Sequence, residues 1–254
     1  MNLVNLFENM PTMTIKTLAG VGYKDEIPAK EADAGWPMGT VRRPDGNLVV
    51  VDYQGNRIWR IDQHGILHTL AGDGVPGDSG DGGPAIEARL YNPHDLTIDS
   101  EGNLYFSDLG NQTYRRIDYK TNVITKVAGS GKEGRGGDGG PATEAELDTT
   151  CGIAVDDKGN IYISSEWTNN IRRIDSTTGK IELFAGLDAR HYPSESEGSR
   201  PFSGAKLSLG GYHGDGGPAS KAGFYHPEHL AFDSKSNLFV CDNSNNRIRK
   251  IDAK

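Results

Sequence analysis

The chain has 254 residues, with 27 Lys and Arg against 35 Asp and Glu, a formal net charge of −8. That balance argues against nucleic acid as the main partner, because phosphate contacts supply most of such affinity, and no stretch approaches the ~20 apolar residues of a membrane span. Two cysteines, Cys151 and Cys241, make no disulfide framework, and a cytoplasmic, reducing setting is the simplest reading.

In chain order, residues 1–13 carry no basic start followed by a long apolar run, so no secretory signal is visible. Residues 14–20 read TIKTLAG, the same pattern as HTLAG, KVAG and LFAG further on. A lead-in segment, IPAKEADAGW, precedes the first block of short β-prone runs at 36–72. Similar blocks follow at 93–129, 150–186 and 228–252.

GDGGPA begins at Gly80, Gly137 and Gly214, in steps of 57 and 77 residues. The pairs Asn47-Leu48, Asn103-Leu104, Asn160-Ile161 and Asn237-Leu238 repeat those steps, so the chain holds four units. The longer last step reflects an insertion over about 187–212.

Within a unit the pattern has period two. GIAVD, NIYIS, NIRRID and KIELFAG are separated by turn-forming DDKGN, SEWTN and STTGK, which predicts a four-stranded antiparallel meander. Meanders repeated radially make a β-propeller. The expected fold is therefore all-β, a single four-bladed propeller over 1–254. The last unit ends at its third strand, and the surplus 14–20 strand is expected to complete it and close the ring. The rival is an open half that pairs with a second copy to make eight blades. Repetition of GDGGPA in the linkers signals architecture rather than a calcium or phosphate loop. The arginines that recur in the third strands (Arg115-Arg116, Arg172-Arg173, Arg247 with Arg249) read as structural too.

The run TLAGDGVPGDSGDGGPAIEARLYNPHDLTIDSEGNLYFSDLGNQTYRRID resembles the NHL repeat, and the likeness continues through to residue 252. The resemblance implies a propeller but leaves the activity open. NHL propellers include protein-binding and RNA-binding modules and a zinc- and calcium-dependent peptidyl-hydroxyglycine lyase, and they are similar to lactonase and strictosidine-synthase propellers. PHDL at Pro93–Leu96 is similar to the strand starts where that lyase's histidines hold zinc. Here only His94 sits in register, and His229 is one residue out.

A repeat offers its own internal comparison. At the start of the first strand one position holds Met38, His94, Cys151 and Glu228, and the next holds Gly39, Asp95, Gly152 and His229. Ring geometry would gather these around one axis. His94 and His229 with Asp95, Glu228 or Glu166 suit proton transfer, and Cys151 suits a nucleophile activated by His94. The alternative is a divalent metal, zinc or calcium, held by His94, Cys151 and Glu228. Met38, Tyr53 and Trp167 are candidate substrate contacts at the mouth. Tyr192, Phe202, Tyr212 and His213, in or beside the insertion, are candidates for a lid. No dinucleotide motif is present. The expectation is an enzyme for a small organic or peptide-like substrate, of lyase, cyclase or hydrolase type, acting as a monomer or homodimer. A non-catalytic interaction scaffold is the alternative.

Overall fold

The structure, a computed structural model, describes residues 25–32, 35–186 and 211–253. Four antiparallel sheets follow one another along the chain. Blade 1 holds β2 (Pro37–Arg42), β3 (Leu48–Asp52), β4 (Arg57–Ile61) and β5 (Ile66–Ala71). Blade 2 holds β6 (Pro93–Ile98), β7 (Leu104–Asp108), β8 (Thr113–Ile117) and β9 (Ile124–Ala128). Blade 3 holds β10 (Thr150–Val155), β11 (Ile161–Ser165), β12 (Asn170–Ile174) and β13 (Ile181–Gly186). Blade 4 holds β14 (Pro227–Phe232), β15 (Leu238–Asp242) and β16 (Arg247–Ile251). The described residues form a four-bladed, all-β propeller, as the repeat predicts.

The inner hairpins turn on aspartates, as the DDKGN-type segments suggest. Asp99 accepts the backbone N–H of Glu101 and Asn103 at 3.0 and 2.9 Å, and Asp156 does the same for Lys158 and Asn160. Apolar cores form where one blade meets the next. Val51, Ile58, Leu96 and Phe106 join blades 1 and 2. Tyr105, Tyr114, Ile153 and Ile163 join blades 2 and 3. Ala154, Tyr162, Leu230 and Val240 join blades 3 and 4. The first strands lie side by side in the order β2, β6, β10, β14. Among the described residues, no comparable cluster joins blade 4 back to blade 1, and β2 stays largely exposed.

The linkers are architectural. Arg115, Arg172 and Arg249 leave the third strands of blades 2, 3 and 4 and pair with the GDGG aspartates Asp81, Asp138 and Asp215 at 3.1, 2.8 and 2.6 Å. Each guanidinium also donates to two linker carbonyls, such as Arg89 and Ser79 for Arg115. Blade 1 has lost both halves of this pair together. Its lead-in has no GDGG, and Trp59 stands where the arginine would, donating its indole N–H to Asp52. Glycine is required at Gly80 (φ 96°), where a Cβ would lie 2.7 Å from the Ala88 Cα.

Leading into blades 2 and 3, the linker proline pairs with the outer strand of the blade: Pro84 with Val123, and Pro141 with Lys180. In blade 1 this contact grows into an unpredicted fifth strand, β1 (Ile27–Pro28), on the edge of β5. The outer edge of β16 carries no partner among the described residues. Ile248 there is 66% exposed, while its equivalents Ile58, Tyr114 and Ile171 are at most 1% exposed. The expected closing strand at 14–20 lies outside the described residues, as do residues 187–210 of the insertion.

Candidate functional site

All four first strands carry a β-bulge at one place. Register slips between Pro37 and Thr40, Pro93 and Leu96, Thr150 and Ile153, and Pro227 and Leu230. The two residues inside each bulge are the positions where the four copies differ. A bulge sets two residues against one on the partner strand and re-aims their side chains. This resolves the register mismatch read from the sequence. His94 and His229 occupy different bulge positions, yet their rings stack at 5.9 Å between centroids, 14° from parallel.

A second-strand side chain fixes each of two bulges. Ser107 Oγ accepts the Asp95 N–H, and Ser164 Oγ accepts the Gly152 N–H, both at 2.9 Å. Ser164 also donates to the Glu228 carbonyl at 2.8 Å, tying blade 3 to blade 4. Gly152 is needed for that approach, since a Cβ would collide with the Glu228 carbonyl oxygen.

Asp95 is the hub. Its Oδ2 accepts the Ile153 N–H at 3.2 Å, and its Oδ1 lies 3.4 Å from His229 Nδ1. The two imidazoles are pushed in opposite directions. Burial, which penalises the cation, lowers His94, with the nearby Asp95 carboxylate opposing. The hydrogen bond to Asp95 raises His229, against some burial. His94 Nδ1 is buried without a hydrogen-bond partner, and Tyr53 packs edge-on against the ring at 6.1 Å, backed by Trp36.

Beside this pair lies an acidic wall. Glu166 is raised mainly by burial, with Glu228 adding repulsion, and its Oε1 lies 3.7 Å from His226 Nδ1. Asn243 donates to Glu228 Oε1. Cys151 Sγ donates to Glu166 Oε2 at 3.8 Å. Cys151 is 2% exposed, and burial with two adjacent glutamates holds its thiol far above the ordinary value. A nucleophilic cysteine needs the opposite, an exposed thiolate beside a cation. The nucleophile expected at Cys151 is therefore replaced by a protonated hydrogen-bond donor.

The structure thus brings His94, Asp95, Cys151, Glu228, His229, Glu166 and Tyr53 into one region. Trp167 is half-buried beside Glu166, and Met38 is 37% exposed on β2 at the far end of the row. Tyr212 and His213 go elsewhere. Tyr212 bonds Asp215 and lies under the Arg247 guanidinium at 4.0 Å, while His213 pairs with Gly223, so both belong to the linker framework and not to a lid. Tyr192 and Phe202 lie outside the described residues. His94, Cys151 and Glu228 do not fit a metal site. No group of three or more His, Cys, Asp or Glu among the described residues is arranged to hold a metal ion. The sequence carries no direct mark of His226 as a wall residue, though it lies two positions before Glu228, where the copies also differ.

No family model matches the chain. It is 27% identical over 251 residues to NHL repeat-containing protein 2 of Gallus gallus, across 91% of this chain and 32% of that protein. The chain spans about a third of the length of that relative. Among solved structures, virginiamycin B lyase from Staphylococcus aureus superposes with a TM-score of 0.51 at 18% identity, over 87% of this chain and 53% of that one. A gluconolactonase from Xanthomonas campestris gives 0.51 at 16%, over 86% and 59%. At such identities these two establish the fold alone. The repeat, the four sheets and these relatives agree that the chain is an NHL-type β-propeller.

Proposed function

We propose that the chain is an enzyme that acts on a small organic or peptide-like substrate by acid–base chemistry at the bulged ends of its first strands. His94, kept neutral by burial, takes the proton. His229, whose basicity Asp95 raises, returns it, and Asp95 orients it. Glu228 and Glu166 line the site, with Tyr53, Trp167 and Met38 as substrate contacts. A lyase, cyclase or hydrolase reaction fits such a pair. The observation that carries the reading is the stacked imidazoles with oppositely displaced pKa values, since environments that separate two like groups assign the acid and the base. No step is routed through zinc or calcium, because the donor set does not fit one. Free thiols at both cysteines suit a cytoplasmic setting, and a monomer or homodimer is the expected state.

The test is a metabolite panel read by ligand-induced melting shifts, followed by turnover of the hits. A hit that stabilises the native protein, is lost in His94→Ala, and is turned over at least ~10²-fold slower by that variant supports the reading. Retention of binding and rate in both His94→Ala and His229→Ala refutes it. A second reading, a protein-interaction scaffold, draws on Trp36 (54% exposed), Met38 and Tyr91, which leave apolar surface uncovered on the first two blades. It expects a partner whose capture is lost in Trp36→Ala and kept in His94→Ala.

A further inference from the structure

Blade 3 lacks a carboxylate that the other three blades share. Asp52, Asp108 and Asp242 end their second strands, are fully buried, and accept the backbone N–H of Trp36, Tyr91 and Tyr225 at 3.2, 2.7 and 2.7 Å. In blades 2 and 4 the same carboxylate also takes a hydrogen from Nη1 of Arg115 or Arg249, at 3.3 and 3.4 Å. Asn111 and Asn245 complete those two clusters, each donating at 2.9 Å.

In blade 3 the residues have changed together. Ser165 replaces the aspartate and turns its hydroxyl to the Asp148 carbonyl. Thr168 replaces the asparagine and bonds Asn170. Asp148 replaces the tyrosine. Arg172 keeps its bonds to Asp138, Glu146 and Gly136, but its Nη1 no longer has a carboxylate acceptor at the strand end. The Asp148 N–H has likewise lost the acceptor that its counterparts use.

The vacated place is open. A small cleft of about 30 Å³, open to solvent on one side, is lined there by Asp148, Thr150, Ser165, Thr168, Asn170 and Arg172. Arg172 is only 6% exposed and Thr150 1%, and the Thr150 hydroxyl is buried without a hydrogen-bond partner. Arg135 stands exposed at the mouth. Strand alternation separates this cleft from the axial site. Thr150 faces the cleft while Cys151 faces Glu166, and Ser165 is followed by Glu166 itself. Buried donors without acceptors are costly, and a guanidinium with a planar pair of oxygens is a favoured match.

We propose that this cleft binds a carboxylate-bearing ligand, whose carboxylate takes the place of the missing aspartate side chain. Its oxygens accept from Arg172 Nη1, the Asp148 N–H and the Thr150 hydroxyl. The site stands apart from the acid–base reading and survives its failure.

A bare carboxylate of few atoms binds weakly, so acetate is expected in the millimolar range. Acetate titrated into the full chain, followed by nuclear magnetic resonance, should shift the Arg172 Nε–H and the Asp148 amide saturably, and neutral acetamide should not. Ser165→Asp supplies the carboxylate internally. It should abolish the acetate response and raise the melting temperature. Ser165→Ala leaves the place vacant and should retain the response. A short peptide with a free C-terminus, compared with its amidated form, distinguishes a chain terminus from a free small acid as the source. Equal shifts with acetamide, no response of these two groups, or an undiminished response in Ser165→Asp would overturn the proposal. Should Ser165→Asp fail to fold, the comparison of acetate with acetamide on the native protein and Ser165→Ala still decides it.

Discussion

At the scale of single residues the pair of imidazoles makes the sharpest forecast. By nuclear magnetic resonance, His94 should titrate below the ordinary histidine value of ~6.5 and His229 above it. A free enzyme that uses both should show a bell-shaped kcat/KM, with its acid limb set by His94 and its alkaline limb by His229. Asp95→Asn removes a carboxylate that raises His229 and also holds His94 up against burial, so both limbs should move down in pH, the alkaline limb through loss of the hydrogen bond as well as the charge. The sign for stability follows from the same shift. His229 is raised on folding, so its contribution is whole below ~6.5 and fades as pH climbs through the folded value. A His229 resonance titrating at or below ~6.5 would contradict the arrangement.

The chemical set at these positions was legible because the four copies serve as one another's reference. What the sequence left illegible was direction. His94 and His229 looked one residue out of step, since an ideal strand sends neighbours to opposite faces, and only the bulge, which has no fixed residue signature here, puts both on one side. The state of Cys151 was hidden for a related reason: burial decides thiol reactivity, and burial comes from blades distant in sequence. Tyr212 and His213 misled because an aromatic beside an insertion carries no mark of which neighbour it will meet.

At the scale of elements, third-strand arginine and linker aspartate act as one fastening. The Arg115 and Asp108 side chains are both fully buried. Arg115→Leu should cost about 3–5 kcal/mol, because it strands a carboxylate away from water; urea unfolding measures it, and a loss below about 1 kcal/mol would show the pair to be dispensable. Gly152→Ala tests the contact between blades 3 and 4. Its methyl would strike the Glu228 carbonyl, and a loss of about 1–3 kcal/mol is expected. The strands themselves were readable from period-two patterning and aspartate turns. The fifth strand of blade 1 was not, because a proline-containing lead-in gives no strand signal and pairs only where an outer edge is offered.

At the scale of the whole molecule, β16 presents an edge with Ile248 exposed in a place where the other blades are sealed. Unpaired edges invite pairing, and residues 14–20 have the sequence pattern of the outer strand that blade 4 lacks among the described residues. Hydrogen exchange on the full chain should find alternate β16 amides protected, and removing residues 1–24 should expose them. Fast exchange along β16 in the full chain would point instead to a partner, or to a second copy, which sedimentation would reveal.

The bulges also bear on how such a molecule can change. Each blade presents two adjacent letters to the centre, while the ladder on either side stays in register. A new specificity can then be written by exchanging a dipeptide, Met-Gly for His-Asp or Cys-Gly for Glu-His, with no strand redrawn, much as type is reset in a fixed frame. Its grammar has one constraint: where neighbouring blades approach most closely, the second letter must be glycine.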